Sequence, residues 1–123
     1  MASILVIDEY DGFRETMAYC LPIFGHDVLC VPDVRAAIHA AKKQPIQLVL
    51  LDVGCRRFRG LADCGFLRRS AVLAKTPVVI MTGYYSIEIV ERAMAAGAVA
   101  VIAKPFQWPE LLRTILRWAP ANG

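Results

Sequence analysis

The chain is poor in the residues that build soft-metal centres. It has two histidines, His26 and His39, and four cysteines, Cys20, Cys30, Cys55 and Cys64, with no CxxC spacing among them. A zinc site of ordinary spacing is therefore excluded, and free thiols in a reducing compartment are the better account of the cysteines. Long apolar runs are lacking too. The longest nearly apolar stretch, Ala93 to Ala103, is closed by Arg92 and Lys104 and is too short to cross a bilayer. Asp8 and Glu9 interrupt the N-terminal apolar run before it could serve as a signal peptide, so a cytoplasmic chain with no membrane contact is expected. Internal repeats and low-complexity segments are absent. No recognition helix or aromatic interleaving accompanies the net charge of +3, which argues against direct nucleic-acid binding.

What the chain does have is apolar content, 57% of 123 residues, enough for one domain with a buried sheet. The stretch Gln47-Leu48-Val49-Leu50-Leu51-Asp52 is the clearest case. It is apolar on both faces, β-rich, and stops at a single carboxylate, as a central parallel strand covered by helices would. Similar short runs end at Asp8-Glu9, at Thr82-Gly83 and at Lys104-Pro105, and a half-buried strand is expected over His26 to Val31. Between them the period changes to that of helices. Phe13, Met17, Cys20, Leu21 and Phe24 share one face, with Pro22 and Gly25 marking the end. Asp33 caps a helix over Val34 to Lys43, and Ser86 caps one through Ala96. A loop over Val53 to Gly60 and a helix over Leu61 to Ala74, weakened by Gly65, are expected after Asp52. The last helix carries the stripe Trp108, Leu111, Leu112, Ile115, Leu116 and Ala119, with Pro109 in its first turn. Five strands alternating with five helices imply a doubly wound parallel α/β domain over residues 1–119, with residues 120–123 a tail or the start of a linker.

In a parallel sheet the strand ends face one way. Asp8, Glu9, Asp52, Thr82 and Lys104 would converge on one crevice. Three carboxylates share a small space only with a cation or with raised pKa values. Oxygen ligands suit a hard cation, and Mg2+ is the natural one where phosphate is also bound. Carboxylate, Mg2+, lysine and hydroxyl together are what phosphoryl transfer to an aspartate requires.

These residues resemble the receiver domain of two-component response regulators, over essentially residues 3 to 119. The resemblance is carried by ILVIDE, QLVLLD, Gly60, TPVVIMTG and AGAVAVIAKPF. It implies a flavodoxin-like (βα)5 sheet with strand order 2-1-3-4-5 and a phospho-accepting Asp52. It also implies Mg2+ held by Asp8, Glu9, Asp52 and the backbone carbonyl of Gly54, with Thr82 and Lys104 serving the phosphoryl group, and a cis bond at Lys104-Pro105. Its implied partners are a histidine kinase or phosphotransfer protein and, downstream, a protein partner or effector domain reached through the last two helices and last strand, with a homodimer as a further outcome. Such a domain catalyses its own modification and is not an enzyme acting on outside substrates.

Two stretches depart from the family pattern. The loop after Asp52 reads Val53-Gly54-Cys55-Arg56-Arg57-Phe58-Arg59-Gly60, in which Cys55 and Arg56 stand where the family has a Met-Pro pair and Arg59 where it has an acid. From Arg56 to Lys75 there are six basic residues and one acid, Asp63. The arginines are read either as a docking or steering surface for an acidic partner or as plain solvated charge. Val101 stands where the family carries the Tyr or Phe whose rotation reports phosphorylation, while Tyr84 and Tyr85 follow Thr82-Gly83. These departures sustain a second reading, a degenerate receiver acting as a phosphorylation-independent interaction module. A small phosphohydrolase with an Asp nucleophile is weaker, because no DxD motif surrounds Asp52.

Overall fold

A strand that is apolar on both faces needs two covering layers, and the run before Asp52 has both. Leu48 and Leu50 enter one core cluster, Val49 and Leu51 the other, and none of the four is more than 1% exposed. The computed structural model describes residues 2–54 and 57–119, with the side chains of residues 57–59 outside that description. Its elements alternate as the periods predict: β1 (Ser3–Ile7), α1 (Asp11–Ile23), β2 (Asp27–Val31), α2 (Val34–Ala41), β3 (Leu48–Asp52), α3 (Arg57–Arg69), β4 (Val78–Thr82), α4 (Ile87–Ala95), β5 (Ala100–Ala103) and α5 (Trp108–Trp118).

All pairings are parallel, and the strand order is β2-β1-β3-β4-β5. The order expected from the sequence is the one found. One face of the sheet packs against Ala37 and Ala41 of α2, Cys64 and Leu67 of α3, and Ile89 and Ala93 of α4. The other face packs against Met17 and Leu21 of α1 and Leu111 and Ile115 of α5. This is the doubly wound arrangement, and it leaves the strand ends as the place where polar groups can gather.

Local chemistry fixes the helix ends. Asp33 accepts from the Ala36 amide at 2.8 Å, and Ser86 from the Ile89 amide at 3.1 Å, so both sequence-assigned caps are in place. Pro22 lies inside α1, one residue before its end, and Gly25 follows in the left-handed region at φ 91°. The Lys104-Pro105 bond is cis.

Two expectations are corrected. The segment expected to be a loop to Gly60, with its helix running to Ala74, is helical from Arg57 to Arg69. Residue 60, inside α3, is glycine because the helix there presses on the chain leaving β3: a Cβ on Gly60 would sit 2.9 Å from the Val53 Cα. The helix stops early because Ser70 takes over its last turn, donating to the Leu67 carbonyl at 2.8 Å and accepting from the Leu73 amide. Arg68 then ties the following turn by donating to the Thr76 carbonyl at 2.8 Å. The second correction concerns the α5 stripe. Leu111 and Ile115 are fully buried, but Leu116 is 83% exposed, since one helix flank cannot turn six residues onto one sheet. Cys55 and Arg56, and the side chains of Arg57, Phe58 and Arg59, lie outside the described residues, so the readings of that basic loop rest on sequence alone.

Candidate functional site

β1 and β3 are neighbours, and β2 lies on the far side of β1, so the strand order reverses between Asp8 and Asp52. Open α/β sheets place ligand crevices at such a point. A cleft of about 240 Å³ opens there, and Asp8, Glu9, Asp33, Asp52 and Asp63 all line it. Asp8 is 1% exposed, whereas Glu9 stands in solvent. The Asp8 carboxylate accepts from the Tyr10 amide at 2.9 Å, and the Asp8 carbonyl accepts from Arg14 at 2.6 Å. Arg14 also pairs with Asp11, so the turn from β1 into α1 is tied on both sides.

From the β4–β5 side Asp52 meets a different environment. The Lys104 ammonium lies 2.7 Å from Asp8 Oδ2 and 3.0 Å from Asp52 Oδ1, bridging two carboxylates whose side chains are 0% and 6% exposed. The Lys104 amide donates to the Thr82 carbonyl at 2.7 Å, which sets the lysine at the end of its strand pair. Thr82 is fully buried, and its hydroxyl oxygen accepts from the Tyr84 amide at 3.0 Å. Burial pushes the Asp52 carboxyl above the usual carboxylate range; the Lys104 hydrogen bond and charge oppose that shift, and the charges of Asp8 and Glu9 add to it. Gly54 turns the chain away at φ 60°, and a Cβ there would sit 3.2 Å from Asp52 Oδ2.

Asp8, Asp52 and Lys104 are thus brought into direct contact, and Glu9, Thr82 and Gly54 stand around them. Among the described residues no three His, Cys, Asp or Glu side chains stand together as a group placed to hold a metal ion. The donor set nonetheless fits a hard divalent cation. Its side-chain oxygens come from carboxylates, they face an open cleft, and Lys104 is the cation within hydrogen-bond reach of Asp8 and Asp52. Three contributors were missed in the sequence, and one of them, Asp63 of α3, was read only as the lone acid of the basic stretch. Asp33, at the end of β2, follows the same strand-end rule but was read only as a cap. Phe13 places its ring 3.7 Å from the Lys104 nitrogen, a contact across 91 positions that no local pattern signals.

A five-stranded parallel sheet of this order, with two aspartates and a lysine joined at its switch point, defines a flavodoxin-like α/β domain with an ionic site at its strand ends. Residues 4–116 match the response regulator receiver domain family, and the chain belongs to that family. It is 28% identical over 108 residues to the regulatory protein AtoC of Escherichia coli, covering 88% of this chain and 23% of AtoC. The response regulator protein FleR of Pseudomonas aeruginosa is 28% identical over 118 residues, covering 96% of this chain and 24% of FleR. The chain therefore spans about a quarter of the length of these curated relatives. The solved chemotaxis protein CheY4 of Vibrio cholerae superposes with a TM-score of 0.85 at 27% identity, covering 96% of this chain and 98% of that one. Receiver domains are signalling domains and not enzymes acting on outside substrates. No helix among the described residues is long and apolar enough to cross a membrane.

Proposed function

We propose that this chain is a phosphorylatable receiver: Asp52 accepts a phosphoryl group from a histidine kinase or phosphotransfer protein, and the change alters partner binding. The observation that carries this reading is the Lys104 ammonium held between Asp8 and Asp52 at the mouth of an acidic cleft. The Asp52 carboxylate attacks phosphorus, and the donor's phosphorus–oxygen or phosphorus–nitrogen bond breaks with its electron pair leaving on the donor. Lys104 is within reach of the attacking carboxylate and can donate to an oxygen of the arriving group. Thr82 keeps its hydroxyl hydrogen available, because its oxygen accepts from the Tyr84 amide. Asp8, Glu9, Asp52 and the Gly54 carbonyl would hold Mg2+, which supplies neutralisation of phosphoryl charge when bound.

The outgoing signal uses the segment after Thr82. Gly83 has open space around its Cα, and Tyr84 and Tyr85 are 50% and 55% exposed, so a shift of Thr82 can pass through the Tyr84 amide to a surface ring. Val101 is half-buried against the α2–α4 core and has no ring to turn. The partner surface is then the last two helices and last strand, and the setting is the cytoplasm. The degenerate-module reading is disfavoured, because Asp8, Asp52, Thr82 and Lys104 are all in place at the strand ends. The test is intact-mass measurement after incubation with acetyl phosphate. One phosphoryl group should appear on the parent with Mg2+, none with chelator, and none on Asp52→Asn. Labelling of Asp52→Asn at the parental rate would overturn the assignment.

A further inference from the structure

An ammonium group has three donors, and two of those on Lys104 are taken by Asp8 and Asp52. The Phe13 ring faces the same nitrogen, at 3.7 Å from its centroid. A ring attracts a cation without bringing further negative charge to a place already holding Asp8, Glu9 and Asp52. Phe13 is itself the first of a row. Its ring meets Phe106 edge-on at 6.2 Å, Phe106 meets Trp108 edge-on at 5.6 Å, and Trp108 lies 5.5 Å from Phe24. Phe24 is 45% exposed at the end of α1, so the row runs from the ionic site to the surface between α1 and α5.

The geometry points to Phe13 as the positioning residue for Lys104, and to the row behind it as a second way out of the site, on the face of the sheet opposite Val101. The inference rests on the receiver reading above. Lys104 has two arrangements in that reading: bridging Asp8 and Asp52, as seen, or turned onto a phosphoryl oxygen. Phe13 favours an ammonium held over its face, which fixes where the charge waits. When the ammonium turns, the ring loses its partner and is free to repack against Phe106. Edge-on rings are sensitive to such shifts, because their contact depends on angle as well as distance. Trp108 is the natural reporter in the row.

Two measurements separate this from the receiver reading itself. In metal-free, unphosphorylated protein, the Lys104 ε-methylene protons should be displaced upfield by the Phe13 ring, the displacement vanishing in Phe13→Leu and persisting in Phe13→Tyr. An unshifted Lys104 in the parent overturns the positioning role whatever Asp52 does. Because the ring's attraction is given up when the ammonium turns, labelling with acetyl phosphate should be about fivefold faster in Phe13→Leu, with Mg2+ affinity unchanged and the parental rate restored in Phe13→Tyr. Slowing in Phe13→Leu, or an equal change in both variants, would reduce Phe13 to packing and sink the proposal. In a Trp118→Phe background, beryllofluoride should change Trp108 emission, and the change should be lost in Phe13→Leu. A Trp108 signal that persists in Phe13→Leu excludes the row as a route. An upfield Lys104 without any labelling of the parent would uphold Phe13 and defeat the receiver reading instead.

Discussion

Toward β1, Asp52 looks into an open cleft lined by four other carboxylates and, among the described residues, by no lysine or arginine. Toward β5, the same side chain is met by a mostly buried ammonium, with a fully buried hydroxyl on the neighbouring strand and an aromatic ring behind the ammonium. The first flank gathers carboxylates around a cleft that a cation from solution can enter. The second carries its counter-charge built in, oriented by strand ends that cannot move far. The difference teaches a division of labour. A fixed cation keeps the resting carboxylates together, and the open side has room for the exchangeable one that the proposed phosphorylation calls for. Both flanks act on one pKa, and their opposition is visible in Asp52, where burial and the acids raise it while Lys104 lowers it.

Four variants test that division. Placing an ammonium on the open flank should have the largest effect: Glu9→Lys is expected to weaken Mg2+ binding on the order of 100-fold, read by titration calorimetry. Undiminished affinity would mean that the open flank is not the metal side. Removing the fixed cation should act oppositely. Lys104→Ala should keep or improve Mg2+ affinity yet slow labelling of Asp52 about tenfold and abolish the phosphate-driven change in amide exchange. If Mg2+ affinity falls together with the labelling rate, the flanks are not separable.

A smaller effect is expected from neutralising the shared carboxylate. Asp52 has a folded pKa above its unfolded value, so the folded chain holds the extra proton between the two. Its ionisation therefore opposes folding above that window, and the penalty disappears below the unfolded value. Metal-free Asp52→Asn should melt about 3 °C above the parent at pH 7, the gap closing as pH falls toward about 4. A variant that melts lower at pH 7 would show that the Lys104 bond outweighs burial. The smallest effect belongs to the basic loop. Replacing Arg56, Arg57 and Arg59 by Ser should slow phosphotransfer from an acidic-faced kinase about twofold at low salt, with no difference at high salt, since charges outside a cleft act by steering.

Most of the architecture could be read from the chain because its strands are buried on both faces, which makes runs such as Leu48 to Leu51 and Val78 to Met81 stand out against the helical periods around them. The site was legible for the same reason: a charge or hydroxyl that ends such a run has only the crevice to face. The bounds of α3 were not legible. A helix was expected from Leu61, weakened by Gly65, with Gly60 in the loop before it; residue 60 is instead helical, and it is glycine because the Val53 backbone approaches too closely for any side chain. Leu116 misled because period alone makes the apolar arc of a helix wider than the seam it buries. Phe13 was read as core, and half of that is right: it packs against the α1–α5 core while turning its face to Lys104.

The burial of Leu48, Val49, Leu50 and Leu51 on both faces has a consequence for how the strand finds its place. Where only one face is apolar, sliding a strand by one residue turns its polar side into the core, and the mismatch forbids the slip. β3 has no such protection, because a slide exchanges leucine and valine for each other between two equally apolar layers. Its alignment against β1, with Leu51 beside Ile7, has to be set by what cannot be slid inward. Asp52 is the first such residue, and one step toward the middle of the sheet would strand its charge away from Lys104. The carboxylate proposed to receive phosphate therefore also marks one end of the central strand's alignment, as Gln47, whose side chain accepts from the Ser3 amide at 2.8 Å, marks the other.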